Sequence, residues 1–325
     1  MKPLLSVVVP AYNEEALIET TERTISEILD NANISYELIF VNDGSSDQTW
    51  EKINKTQIDN PAVNGICFSR NFGKEAAIFA GMQYSKGDCC VIIDCDLQHP
   101  PELIVQMYQL WENGYEVVEA VKADRGKESV IHSLAARCFY HIISKAVNID
   151  LERSSDYKLL DRKAVDVLLR MPEKNTFFRA MSSWIGFRST QIEFCVQERA
   201  AGESKWSAIS LIKYAVSNIS AFSAAPMTVI AFLGVLMFCI SILLGCITLY
   251  DKLSGVSLEG IPTVIIIQLF MGSIIMISLG VIGYYIAKIY DEIKGRPRYI
   301  ISAICGNRKE MQQRRECSSC SRNNV

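Results

Sequence analysis

No Gly-x-Gly-x-x-Gly follows the first apolar run of this 325-residue chain, and no Gly-x4-Gly-Lys-Ser/Thr occurs anywhere in it. The first absence weighs against a dinucleotide site and the second against a P-loop nucleotide hydrolase, because each loop would supply the backbone N–H groups that cradle phosphate. The chain also lacks a basic surplus. Its 33 Lys and Arg stand against 36 Asp and Glu, a net charge of −3, so no global field argues for a nucleic-acid partner. Histidine is scarce: His99, His132 and His141 form no metal-like cluster. The eleven cysteines lack the even count and regular spacing of a disulfide framework, and no signal peptide is seen. Cys67, Cys89, Cys90 and Cys95 lie in or beside apolar runs, and Cys239 and Cys246 in a lipid-like stretch. Reduced thiols in a reducing compartment are therefore expected. Cys317 and Cys320 form a CxxC with neither a second pair nor a His to complete a zinc site.

What is abundant is apolar sequence. "LLSVVVP" (4–10), "YELIFVNDGSSD" (36–47), "VNGICFS" (63–69), "CCVIIDCD" (89–96) and "YEVVEAV" (115–121) read as strands. Between them lie helix-like stretches: Asn13 to about Ala32, a capped start at "SSDQTWEKI", "GKEAAIFAGMQYS" (73–85) with small residues on its packing face, and "PPELIVQMYQLWENG" (100–114). Continuous apolar strands alternating with helices predict an α/β fold, a mostly parallel Rossmann-like sheet with helices on both faces. Ligands of such sheets bind beyond the carboxyl ends of the strands, where Tyr12, Asn13, Asp43 and Asp96 fall.

Beyond residue 200 the pattern changes. Met227–Tyr250 and Ile261–Ala287 carry no charge over 24 and 27 residues, each long enough to cross a hydrocarbon layer of roughly 30 Å. A short loop joins them. Lys205 and Lys213 flank one end, Lys288, Lys294, Arg296 and Arg298 the other, so the positive-inside rule places the sheet domain and the C-terminal segment in the cytoplasm. "WSAISLIKYAVSNISAFSAAP" (206–226) has apolar residues at helical spacing and reads as an interfacial helix. The expected organisation is a cytoplasmic sheet domain over 1–205, a juxtamembrane amphipathic helix over 206–226, a two-helix transmembrane hairpin over 227–288 and a basic, partly disordered tail over 289–325. Gly234, Gly245, Gly272, Gly280 and Gly283 would permit close helix packing and leave room for a homo-oligomer.

"VIIDCDLQHPP" (91–101) ends an apolar run with two acids. Residues i and i+2 of an extended segment share a face, so Asp94 and Asp96 can converge on one point. Two close carboxylates repel unless a cation sits between them, and oxygen-only ligands suit Mg2+ or Mn2+, ions that often also hold substrate phosphate. The plainer reading is a strand-end turn with solvated acids.

Six ordered stretches carry a family resemblance: "SVVVPAYNEE" (6–15), "FVNDGSSDQT" (40–49), "SRNFGKEAAIFAGMQYSKGD" (69–88), "DCDLQHPPEL" (94–103), "SSDYKLLDRKA" (154–164) and "ERAAGESKW" (198–206). With the two apolar spans, the chain from residue 4 to about 298 resembles family 2 glycosyltransferases of the GT-A fold. More narrowly it is similar to the polyisoprenyl-phosphate sugar transferases, which include dolichol-phosphate mannose synthases and bacterial undecaprenyl-phosphate glucosyltransferases. One departure is His99, where family members more often have Asp.

The resemblance implies that Asp43 and the turn carrying Pro10, Tyr12 and Glu14 hold the base and ribose of a nucleotide-sugar. It implies that Asp94 and Asp96 hold a Mg2+ or Mn2+ ion bridging the diphosphate, with Asp94 also counted among the donor-binding residues. Arg70 and Lys74 would add positive charge at the phosphates; otherwise they are solvated surface charges. Arg199, Ser204 and Lys205 would bind the acceptor's lipid phosphate, or act as ordinary juxtamembrane basic residues on anionic lipid. Asp156 matches the position usually given the catalytic base. A phosphate monoester has its second pKa near about 6, so its nucleophilic oxygen is largely deprotonated already. Asp156 is then expected rather to orient Arg199 or Lys205, or to offset positive charge near the sugar, with capping of the following helix as the remaining reading.

The function implied is inverting transfer of one hexose from a nucleotide-sugar to a polyisoprenyl (undecaprenyl-type) phosphate by a multi-pass plasma-membrane enzyme. The alternatives are a processive polysaccharide synthase, disfavoured by the lack of a QxxRW motif, and a catalytically silent membrane-tethered nucleotide-sugar-binding module, disfavoured by intact acids at 43, 94, 96 and 156.

Overall fold

The computed structural model describes residues 2–122, 155–173, 177–194, 225–254 and 261–306. The chain divides into two compact units, Met1–Lys205 with Pro297–Val325, and Trp206–Arg296.

The first unit is built on one eight-stranded sheet. In chain order its described elements are β1 (Leu4–Ala11), α1 (Ile18–Asn31), β2 (Ser35–Asn42), α2 (Thr49–Asp59), β3 (Val63–Phe68), α3 (Lys74–Tyr84), β4 (Cys89–Ile92), α4 (Leu103–Glu112) and β5 (Val117–Lys122). They continue with β6 (Lys158–Asp161), α5 (Arg162–Arg170), α6 (Phe178–Trp184), β7 (Ser189–Phe194) and, after the second unit, β8 (Ile301–Cys305). The strand order is β7-β5-β6-β4-β1-β2-β3-β8. Four pairings are parallel (β1–β2, β1–β4, β2–β3, β5–β7) and three antiparallel (β3–β8, β4–β6, β5–β6).

The central strand β1 is apolar throughout because both of its faces are covered. Val7 pairs with Leu38 on one side and Val91 on the other, and Leu5, Val7, Val8 and Val9 are wholly buried. Leu5, Val7 and Val9 join Ile18, Ile25 and Leu29 of α1 and Ile104 and Met107 of α4 in the main core. Val8 meets α3, which lies so close that a side chain at Gly81 would run into Val8. This is why α3 is rich in Ala and Gly and buries Ala76, Ala77, Ala80 and Gly81.

The five expected strands are present, with β4 shorter than read: it stops at Ile92 rather than continuing through Asp96. Within the segment 289–325, read as a partly disordered tail, the structure has a strand; residues 307–325 lie outside the described residues. Ile301–Cys305 pairs antiparallel with β3, with Gly65 opposite Cys305 and Ile66 opposite Ile304. Just before it, the Tyr299 ring stacks on Phe68 at 5.0 Å and its hydroxyl bonds Gln83 Oε1, while the Arg298 guanidinium lies 4.8 Å over the Phe79 ring. Arg298 also donates to the carbonyls of Met171 and Glu173. A strand at the edge of a sheet exposes unpaired N–H and C=O groups, and β8 satisfies those of β3.

In the second unit both expected apolar runs are helical: α7 (Ala225–Leu253) and α8 (Ile261–Ile293). α8 runs past the expected boundary at 288, through Asp291 and Glu292. Among the described residues one stretch, Phe270–Ile293, is long and apolar enough to cross a membrane by length and composition. Its large apolar side chains are outward, Met276 at 69% exposure and Ile277 at 64%. The expected interfacial helix over 206–226 lies almost wholly outside the described residues, as do His132, His141, Cys317 and Cys320.

Candidate active site

The carboxyl ends of β1 to β4 carry four loops, and side chains lock them together. Asn13, at φ 55°, donates its backbone N–H to Ser45 Oγ (2.9 Å), and its Oδ1 accepts from Ser46 N (2.9 Å). The Glu14 amide donates to Thr49 Oγ1 (3.0 Å), and Asp47 accepts from Thr49 N (3.0 Å), satisfying an amide at the start of α2. The two turns that follow β1 and β2 are thus one interlocked rim. Pro10 sits in register with Val41 just before it, and Tyr12 projects from it, 42% exposed.

Asp43 is turned inward. Its oxygens accept from Phe72 N (2.7 Å) and Gly73 N (2.9 Å), and it is 3% exposed. Burial pushes its carboxyl up, and the two amides offset part of that rise. Gly44, at φ 65°, allows the contact, because a Cβ there would strike the backbone of Arg70. Asp43 therefore pins the loop that leads into α3, and through it Arg70 and Lys74. Arg70 is exposed, its guanidinium 4.3 Å over the Phe72 ring.

Lys74, the first residue of α3, is exposed but paired with two carboxylates rather than a lone surface charge. Its Nζ lies 2.7 and 2.9 Å from the two oxygens of Asp94 and 2.8 Å from Asp156 Oδ2. Burial opposes its charge, but Asp156 and Asp94 together hold the ammonium well above the ordinary lysine range. Asp94 and Asp96 lie in the turn after β4, where Leu97 adopts φ 53°, a region seldom used by a leucine. Cys95 between them is buried in the core, so both acids stay on the outer side. Their partners differ: Asp96 Oδ1 accepts from Gln98 N (3.1 Å). His99 packs between Tyr157 (5.4 Å) and Phe194 (5.3 Å), its Nδ1 3.8 Å from Asp94 Oδ2.

Asp156 is buried, and both of its oxygens are engaged. Arg179 reaches it through Nε (2.7 Å) and Nη2 (3.1 Å), and Lys74 approaches from α3. Burial would raise its carboxyl, yet the charges of Lys74 and Arg179 outweigh that and hold it well below the carboxylate range. The capping reading of Asp156 is excluded, since α5 begins at Arg162 and Asp161 caps it by accepting from Lys163 N (2.9 Å). The expected partners Arg199 and Lys205, together with Ser204, lie outside the described residues.

Arg179 escaped the sequence reading, as did Glu75 and the buried pair of Glu119 and Lys158. Glu75 accepts from Phe178 N (2.9 Å); burial, then the charge of Asp156, push its carboxyl up to about 8. Lys158 is wholly buried, 3.1 Å from Glu119 Oε1, and its pKa is lowered by that burial despite Glu119. The available signal was a charged residue inside an apolar or small-residue run, "YKLL" and "KEAAIFAG", which is rare unless the charge is paired.

A profile of glycosyl transferase family 2 matches residues 6–169, and the chain belongs to that family: it is a glycosyltransferase. It is 42% identical to the Bacillus subtilis (strain 168) glycosyltransferase YkcC, over 93% of this chain and 94% of that protein. It is 36% identical to the SfII prophage-derived bactoprenol glucosyl transferase of Shigella flexneri, over 91% of this chain and 97% of that protein. A solved glucosyl-3-phosphoglycerate synthase from Mycobacterium tuberculosis has a TM-score of 0.45 at 21% identity, covering 67% of this chain and 78% of that one, a distance at which nothing about the site transfers.

Proposed function

We propose that this glycosyltransferase moves one hexose from a nucleotide-sugar to a polyisoprenyl phosphate at the cytoplasmic face of the membrane, with inversion at the anomeric carbon. The observation that carries the proposal is the convergence of Lys74, Asp94, Asp156 and Arg179 at the carboxyl edge of the sheet. The whole-length similarity to a protein named bactoprenol glucosyl transferase supports a polyprenyl phosphate as acceptor.

In this reading the acceptor's phosphate oxygen attacks the anomeric carbon as the bond to the diphosphate breaks, and the nucleoside diphosphate leaves with the electron pair. A phosphate monoester above its second pKa of about 6 brings no proton to remove. Asp156, already holding Lys74 and Arg179, acts as an orienting carboxylate rather than a base. Asp43 sets the 70–73 loop, so that Arg70 and Lys74 face the donor's phosphates, and Tyr12 offers an aromatic surface to the base. Asp94 and Asp96 are the carboxylates that would hold a Mg2+ or Mn2+ ion, oxygen ligands of the kind such ions take. As the site stands, both Asp94 oxygens lie on Lys74 Nζ and Asp96 Oδ1 accepts from Gln98 N, so an ion would take over oxygens now engaged within the protein. A bound ion there would supply charge neutralisation for the departing diphosphate. Arg199, Ser204 and Lys205 are proposed for the acceptor phosphate, and α7 and α8 as a membrane hairpin.

Membranes holding the protein, incubated with a panel of labelled nucleotide-sugars and Mg2+, should place label from one donor in the lipid fraction as a single-sugar product. Label in polymer, or none in lipid with any donor, would overturn the proposal.

A further inference from the structure

α6 is seven residues long and already buries Phe178, Ala180, Met181 and Ser182, yet ionic and hydrogen-bonding groups of α3 and β6 hold it as well. Glu75 of α3 accepts the Phe178 amide at 2.9 Å. Lys158 of β6 donates to Ser182 Oγ (2.9 Å) and to the Arg179 carbonyl (3.4 Å), and Glu119 of β5 balances its charge at 3.1 Å. Buried charges are costly to keep, and a hydrophobic clamp would hold a short helix at least as well. What this arrangement delivers is the placement of one side chain, Arg179.

The Arg179 guanidinium gives its Nε and Nη2 edge to Asp156 and remains 28% exposed. Lys74 meets the same carboxylate, 41% exposed. Two cations thus share Asp156 where the site opens to solvent. A guanidinium whose Nε edge is pinned by a carboxylate presents its Nη1/Nη2 edge in a fixed plane, the geometry that recognises phosphate oxygens in pairs.

We propose that Arg179 is a phosphate-binding residue of this site, positioned by Asp156 and by the Glu75 and Lys158–Glu119 clamp on α6. The inference rests on the transferase reading above and deepens it. The phosphate is either the donor's diphosphate or the acceptor's monoester, and the two are separable by probe.

Detergent-solubilised full-length protein would be titrated calorimetrically with inorganic pyrophosphate plus Mg2+ and, separately, with farnesyl phosphate in micelles. Arg179→Ala should weaken one probe by about 10- to 100-fold, the range for one charge-assisted contact, and leave the other within about twofold. Arg179→Lys, which keeps the charge and loses the fork, should fall between. Loss confined to pyrophosphate assigns Arg179 to the donor, and loss confined to farnesyl phosphate assigns it to the acceptor. If Arg179→Ala does not fold, Arg179→Lys carries the test. A folded variant that binds both probes as wild type does, a variant that only lowers the melting temperature, or a wild-type protein that binds neither probe overturns the proposal. These titrations need no turnover, so absence of sugar transfer would sink the proposed function while this result still stands.

Discussion

Asp156→Asn preserves shape and removes one charge, leaving Lys74 and Arg179 facing each other across a neutral amide. Breaking a buried ion pair by removing one partner costs about 3–5 kcal/mol. Here the carboxylate is buried, but the cations are 41% and 28% exposed, so water screens part of the loss and about 2–3 kcal/mol is expected. For a unit of this size that lowers the melting temperature by about 5–10 °C. Because the folded carboxyl is held below its unfolded value, its stabilisation is complete above about pH 4 and is lost only as pH falls through the folded pKa. The share of the deficit due to Asp156's own titration should therefore be constant between about pH 6.5 and 8.5, while loss of its charge lowers the Glu75 carboxyl and narrows the total deficit as pH rises toward about 8. Transfer should fall about 100-fold, the scale of a misplaced reacting group, with no recovery toward wild type as pH rises over that range. Asp156→Asn and Arg179→Ala should be non-additive, since they disable one unit. Thermal unfolding and initial rates across the pH range are the assays. A variant whose rate climbs toward wild type as pH rises would show that Asp156 is a general base, and full activity at every pH would remove it from the site.

Three further outcomes are expected. Glu75, with its carboxyl raised to about 8, takes up a proton on folding, so wild-type stability should decline as pH rises from the unfolded pKa near about 4.3 through that value. Glu75→Gln mimics the neutral acid, and its melting temperature should stay flat from about pH 6 to 9 and exceed wild type at the top of that range; parallel curves would refute the shift. Tyr299→Ala removes the stack on Phe68 and the bond to Gln83, together about 2 kcal/mol in denaturant unfolding, and a change under about 0.5 kcal/mol would mean that the segment before β8 merely rests on α3. Asp96→Ala should abolish transfer while circular dichroism and membrane binding are unchanged, whereas near wild-type turnover in EDTA would show that no divalent ion is needed.

The sequence alone determined the elements whose signal is local. Five apolar runs became β1 to β5 because a strand covered on both faces must be apolar along its whole length. The turns at Tyr12–Glu14, Asp43 and Asp94–Asp96 fell at the carboxyl edge because each acid or turn residue follows directly on its strand. The tertiary structure decided whatever depends on partners distant in the chain. β6 entered between β4 and β5 in antiparallel sense, and β8 returned from beyond α8 to cover the edge of β3; strand order is set by which backbone edges need partners, which no window of residues records. Asp43 looks like a ligand in a strand-end motif, but its oxygens belong to amides near residue 72, brought to it by the turn at Gly44. Asp156 stood out in the sequence as a candidate site residue, yet its surroundings are set by Lys74 from α3 and Arg179 from α6, two side chains that meet only when both helices pack against the sheet. Position along a strand is written in periodicity, whereas the charge a carboxylate carries is written by the groups that folding places around it.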